Sequence, residues 1–240
     1  MNLSELIKYY RDSSKDDKGP SDEFLFSNEY IQDVYNEAEL EACWRRRLLI
    51  DSSFPVVGSS SEVDGDPSTR VEVIPNVWVY ELDPKVLFVR RALWGSEQIP
   101  LNFVSHRDLD RSFHGWDKRI GDPTTVVTGL DSSWDRQTLR LTPIPDRSGF
   151  IYLTVVRAPL GMVNPTDSPE IAERWHRKLL NWVMYRVYNL AETETYNPEL
   201  ANSYLAMFEK DFGTRDQAIE EERDRQRATA NRFDYADGTY

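Results

Sequence analysis

The stretch Arg70-Val71-Glu72-Val73-Ile74-Pro75-Asn76-Val77-Trp78-Val79-Tyr80-Glu81-Leu82 decides the fold, because within it the apolar pattern changes from a period near 3.6 to a period near 2. The new period continues downstream through Val86 to Leu93, Ile99 to Val104, Thr124 to Leu130, Thr138 to Pro143 and Gly149 to Arg157. Turn signals separate these runs, among them Asp83-Pro84, Asp131-Ser132 and Asp146-Arg147-Ser148-Gly149. Several short strands without helices between them predict an antiparallel sandwich or small barrel. Proline cannot donate to a ladder, so Pro143 and Pro145 are expected to mark a sheet edge.

Upstream, residues 51–69 are rich in polar Ser, Asp and Gly, and beyond them the period is helical. Phe26 and Ser27 stand where a flanking apolar residue and an N-cap belong, and Ile31, Val34, Tyr35, Ala38 and Ala42 form a stripe that runs into Leu48-Leu49. The spacing predicts a helix of about 22 residues with one buried face. A shorter amphipathic helix over residues 2–13 uses Leu3, Leu6, Ile7 and Tyr10, and Ser14 to Pro20 ends it with charge and breakers. On the other side of the strands, Ser168-Pro169 reads as an N-cap followed by proline at the first helical position. The stripe after it is Ile171, Trp175, Leu179, Trp182, Val183, Val187 and Leu190. Asn197-Pro198 repeats that device ahead of Leu200, Ala201, Tyr204, Leu205, Phe208 and Phe212, with Gly213 as C-terminal cap. The expected fold is therefore α+β. A helical body from residues 1–50 and 165–213, a bundle of N- and C-terminal segments, carries an inserted antiparallel β-domain over 70–160 and an extended C-terminal arm, 214–240.

The arm is unlike the rest. From Arg215 to Arg232 it is dominated by Arg, Asp, Glu, Gln and Ala, with Ile219 as its only large aliphatic residue. A helix polar on every side cannot dock on its own domain; it bridges solvent or waits for a partner, unless the segment is simply a frayed terminus. Its tip adds Phe233, Tyr235 and Tyr240 among small polar residues, a composition suited to anchoring in a groove.

The chain has 240 residues, 40% of them apolar, which is ample for a core. Its formal charge of -12 argues against a broad grip on nucleic acid, which rests on neutralising phosphates with Lys and Arg. No run of 18 or more apolar residues is present and Met1 to Glu5 leads into a polar stretch, so a soluble protein made in a cytosol, with no membrane association, is expected. With Cys43 as the single cysteine, an internal disulfide and a Cys-based zinc site within one chain are both excluded.

Catalytic signatures are weak. His106, Asp108, Asp110 and His114 have metal-ligand chemistry, but their spacing fits no helical zinc pattern or calcium loop, and Arg107 and Arg111 are better placed to pair with the two Asp. His176 reads as a surface or inter-subunit histidine, and no Ser or Cys lies in a nucleophile motif. Cys43, before Arg45-Arg46-Arg47, reads as a small semi-buried helix residue rather than an activated thiol. Carboxylate pairs suited to glycoside cleavage arise by chance among 41 acidic residues. Trp94, Trp116 and Trp134, with Asp131 and Asp135 nearby, have the types of a sugar platform, but core or inter-subunit aromatics explain the same residues without a ligand and are the favoured reading. Glu220-Glu221-Glu222 reads as a solvated face, and Asp211-Phe212-Gly213 as a helix end rather than a kinase motif. No catalytic, cofactor or metal residues are assigned, and no enzyme activity is expected.

Taken in order, the chain resembles the head-to-tail adaptor proteins of tailed bacteriophages, including the tail accessory factors beneath the portal of short-tailed phages. The stretches that carry the resemblance are Phe26 to Ala38, Leu139 to Asp146, Ser168 through Tyr188, which is the strongest, and Glu194 to Ala201. The resemblance implies a virion protein at the head-tail interface: a homo-oligomeric ring, twelvefold in this family, that joins the portal to the tail nozzle or hub. It would continue a channel through which DNA passes without specific binding during packaging and ejection, with tail fibres as a further contact. It also implies that the C-terminal arm inserts between portal subunits, which makes Ile219, Arg223, Arg227, Arg232, Phe233, Tyr235 and Tyr240 the candidate docking residues. If helical, the arm reaches about 40 Å. A cell-wall (peptidoglycan) hydrolase and a carbohydrate-binding tail component using the β-domain are the alternatives.

Overall fold

The computed structural model describes residues 1–16, 24–52, 69–128, 138–191 and 195–217. The chain divides into two compact units, whose described residues come from Met1–Leu49 and the stretch from Ala158 to Gln217 in the first and from Ile50–Arg157 in the second.

In the first unit, helix α1 (Leu3–Ser14) shows how its start is specified. The leading N–H groups of a helix have no partner within it. Here Leu3 N–H donates to Asp167 O (2.7 Å) and Ser4 N–H to Pro165 O (3.1 Å). Glu5 N–H donates to Asn2 Oδ1, while the Glu5 carboxylate returns to the Asn2 N–H as a capping box. Asp167 holds its own loop by accepting from the Val163 and Asn164 N–H groups, and these backbone donors keep its carboxyl below the usual carboxylate range. At the other end of α1, Arg11 and the buried Asp16 pair, and Arg11 Nη2 donates to Phe26 O.

Helix α2 (Asn28–Arg46) starts as its sequence indicates, with Ser27 Oγ accepting from Tyr30 N–H at 3.1 Å and Phe26 stacked on Tyr30. It is shorter than expected. Arg47 adopts the left-handed conformation (φ 54) and donates to Cys43 O, so Leu48 and Leu49 lie beyond the helix. Its buried face includes Ile31, Val34, Tyr35, Ala38 and Ala42. Tyr35 Oη donates to Leu6 O across to α1, and burial pushes its phenol well above the ordinary range.

The Ser168-Pro169 signal is the main correction among the helices. No helix begins there. The chain runs without regular structure to Ala172 (φ -56, ψ 139), then forms a 3-10 turn over Glu173–Leu179 that passes into α4 (Leu180–Tyr188). Tertiary bonds hold the segment open, because the Pro165 and Asp167 carbonyls serve α1 and Ile171 N–H donates to the buried carboxylate of Glu39. Asn197-Pro198 does open a helix, α5 (Pro198–Phe212), with Asn197 Oδ1 accepting from Leu200 N–H and Gly213 (φ 85) at its end. Tyr188–Tyr204, Trp182–Phe208 and Trp175–Phe212 meet in reversed order along the chain at centroid distances of 5.8, 5.0 and 5.3 Å, so α4 and α5 pack as an antiparallel hairpin. Leu190, expected in the stripe, is exposed.

The described residues of the second unit form two sheets. In the first, β9 (Gly149–Arg157) pairs with β4 (Val86–Trp94) on one side, and with β1 (Ile50–Ser52) and β2 (Arg70–Val73) end to end on the other. β5 (Ile99–Pro100) continues beyond β4. β1 was not expected from the polar sequence around it; Asp51 pairs with Arg157 to hold it in register. The second sheet runs β3 (Val79–Glu81), β8 (Thr138–Thr142), β7 (Thr125–Thr128), β6 (Asn102–Ser105). Its β6–β7 pair is parallel, which corrects the expected all-antiparallel domain, and neither sheet closes into a barrel. A parallel pair needs a long crossover connection, supplied by helix α3 (His106–Ser112) and a 3-10 turn at Trp116–Lys118. The expected single strand Ile99 to Val104 is thus divided between the two sheets at buried Leu101.

β8 lies inside its sheet, so Pro143 and Pro145 do not mark an edge; they follow its last residue and end the strand. One buried cluster draws on both sheets, with Val73, Ala92, Trp94, Ile151, Leu153 and Val155 from the first and Tyr80, Val126, Leu139 and Leu141 from the second. Only glycine fits at 149, since an added Cβ would come within 2.7 Å of the Trp94 ring.

Candidate functional site

The place where the chain leaves α5 carries a cluster of buried charges in the helical unit. Glu41, on the last turns of α2, is 7% exposed and Arg45, one turn on, 8%. Charges so far from water need partners, and these have them. Arg45 Nε donates to Glu41 Oε2 at 3.1 Å, and its Nη1 donates to Gly213 O at 3.1 Å and lies 3.5 Å from Glu209 Oε1. The guanidinium also lies 5.3 Å from the centroids of the Trp182 and Phe208 rings. Arg46 Nη1 donates to Asp211 O at 3.0 Å. The end of α5, whose last carbonyls lack intrahelical donors, is thus served by two arginines from α2, a favourable match to the negative end of the helix dipole.

Arg215, just past that end, completes the cluster. Its Nε donates to Glu41 Oε2 at 3.2 Å and its Nη2 to Oε1, and its guanidinium sits 5.3 Å from the Trp44 ring. The Glu41 hydrogen bond holds the Arg215 guanidinium above its ordinary range. Between Gly213 and this contact a new cap forms: Thr214 Oγ1 accepts from Gln217 N–H and Gln217 Oε1 accepts from Thr214 N–H, both at 3.2 Å, and residues 215–217 are helical. This is a capping box, and its Thr-x-x-Gln signature is legible at 214–217. The Glu41–Arg45 pair has the i, i+4 spacing of a helical ion pair. The bond from Glu41 to Arg215 spans 174 residues and has no sequence signal.

The residues expected to dock on a partner, Ile219, Arg223, Arg227, Arg232, Phe233, Tyr235 and Tyr240, lie outside the described residues, as do Glu220 to Glu222, Asp131, Trp134 and Asp135. Among the described residues no group of three or more metal-ligating side chains converges. Asp110 accepts from the Trp116 indole at 2.8 Å rather than pairing with Arg107 or Arg111, and His114 is exposed. Trp94 and Trp116 are buried, and so face no carbohydrate. His176 is a core residue instead of a surface one, 4% exposed, with Nε2 donating to Ile171 O and Nδ1 facing the Met1 amine at 3.1 Å. Cys43 is fully buried. Asp211-Phe212-Gly213 is a helix end, as expected. No described helix is long and apolar enough to cross a membrane.

A clamped chain exit on the helical unit and, within the β unit, Trp94 and Trp116 buried in its own packing are features of a structural module. The sequence matches the SU10 adaptor protein family over residues 1–233, and the chain belongs to that family. Membership makes it a structural phage adaptor of the head-to-tail kind and a component of the virion. No curated protein matches the chain.

Proposed function

We propose that this adaptor joins the portal to the tail nozzle or hub as one subunit of a homo-oligomeric ring, twelvefold in symmetry, that is made in the host cytoplasm and continues the DNA channel. Residues 214–240 are the portal-docking arm, with Ile219, Arg223, Arg227, Arg232, Phe233, Tyr235 and Tyr240 as its contacts. Residues 1–50 and 165–213 form the body and 70–160 an inserted β-domain. The observation that carries this reading is the clamp on the chain at Gly213, Thr214 and Arg215, which fixes the root of a segment too polar to join the core of its own unit. The net charge of -12 supports it, since DNA slides past an acidic wall without sticking.

The test is the particle mass of the purified protein, alone and mixed with the portal from the same genome, for the full chain and for a truncation lacking 218–240. The expected outcome is a stoichiometric ring on the portal for the full chain and none for the truncation, with unchanged thermal unfolding. A truncation that assembles normally would remove the arm from the reading.

A further inference from the structure

Glu41 serves two arginines unequally. Arg45 is buried, and its Nε shares Glu41 Oε2 with Arg215, whereas Arg215 also engages Oε1 and its own side chain is 60% exposed. Loss of Arg215 therefore leaves the buried Glu41–Arg45 pair closed and the α2–α5 contact intact. Loss of Glu41 leaves the buried Arg45 guanidinium with the Gly213 carbonyl at 3.1 Å and the partly exposed Glu209 carboxylate at 3.5 Å as its polar partners among the described residues. So exposed an ion pair contributes little to stability, yet it fixes the backbone at Thr214–Gln217 together with the capping box. Ordering a segment before it binds removes an entropic cost from the binding step.

We propose that Glu41 and Arg215 are positioning residues for assembly: the buried carboxylate holds the first turn after α5 in one course before the partner arrives, so that the segment beyond it is presented rather than searched for. This rests on the arm reading above, and the experiment separates the two. Affinity for the portal from the same genome is measured for the full chain and for R215A, R215K, E41Q, E41Q/R215A and the truncation lacking 218–240. Thermal midpoints and hydrogen exchange of the Thr214 and Gln217 amides are recorded alongside.

R215A is expected to bind roughly tenfold more weakly, with an unchanged midpoint and faster exchange at both amides. R215K should fall between, because an ammonium cannot reproduce the two-point contact. In the E41Q background, removing Arg215 should cost no further affinity, since Arg215 acts through Glu41. Equal losses in both backgrounds would mean that Arg215 touches the portal itself, and would overturn the proposal. So would weaker binding that merely tracks a lowered midpoint, or unchanged exchange at the two amides, which remains decisive if E41Q does not fold. R215A binding like the parent while the truncation does not bind overturns the positioning role alone. A truncation that binds like the parent overturns the arm reading as well.

Discussion

Ser168-Pro169 and Asn197-Pro198 are the same local signal, a capping side chain followed by proline, yet only the second starts a helix. The difference lies in what the surrounding backbone must do. At Asn197 the tertiary bond, from its N–H to Tyr188 O at 2.9 Å, leaves the cap free to form, and the side chain closes on Leu200 N–H. Around Ser168 the Pro165 and Asp167 carbonyls are committed to the first turn of α1, the Ile171 N–H to Glu39 and the Ile171 carbonyl to His176. A cap of about 1 kcal/mol loses to these four hydrogen bonds together, of which the two at Ile171 are buried and would cost about 1–3 kcal/mol each to abandon.

The comparison can be broken most forcefully at Glu39. E39A leaves the buried Ile171 N–H without its acceptor, and a loss of about 2–3 kcal/mol is expected from the denaturant midpoint at unchanged slope. A loss under about 0.5 kcal/mol would show that this bond does not hold the segment open. Next, H176F should cost about 1–2 kcal/mol by stranding the Ile171 carbonyl, read in the same way. N197A removes a working cap and should cost about 1 kcal/mol, with faster hydrogen exchange in the first turn of α5. S168A, by contrast, should change stability by no more than about 0.5 kcal/mol. Equal effects of N197A and S168A would collapse the distinction.

The same contrast explains how far the sequence was readable. Ser27, Asn197 and Gly213 act locally, and their roles followed from residue type and spacing. Gly149 to Arg157 was readable as a strand because every second residue faces the core. The parallel β6–β7 pair was not, because pairing direction is set by the connection, and the His106 segment, singled out for its ligand chemistry, is that crossover. β1 was hidden because three residues are too few to show a period. At the candidate site the helix end and the Thr214–Gln217 box have local signatures, whereas the Glu41–Arg215 contact joins residues 174 apart and could only be seen folded. Burial of Trp94 and Trp116, by contrast, agrees with the core reading favoured from the sequence, since packing accounts for a tryptophan without a ligand.

The helical unit takes its pieces from both sides of the β unit, and this sets a timetable for synthesis. Glu39 bonds a residue 132 positions later, and the end of α2 meets a carbonyl 168 positions later. At roughly 5–20 residues per second, the apolar face of α2 leaves the ribosome on the order of 10 s before its partners exist. The strands of the β unit, all within Ile50–Arg157 among the described residues, are complete first. The helical unit therefore closes only as α5 emerges, and the clamp on Arg215 forms later still.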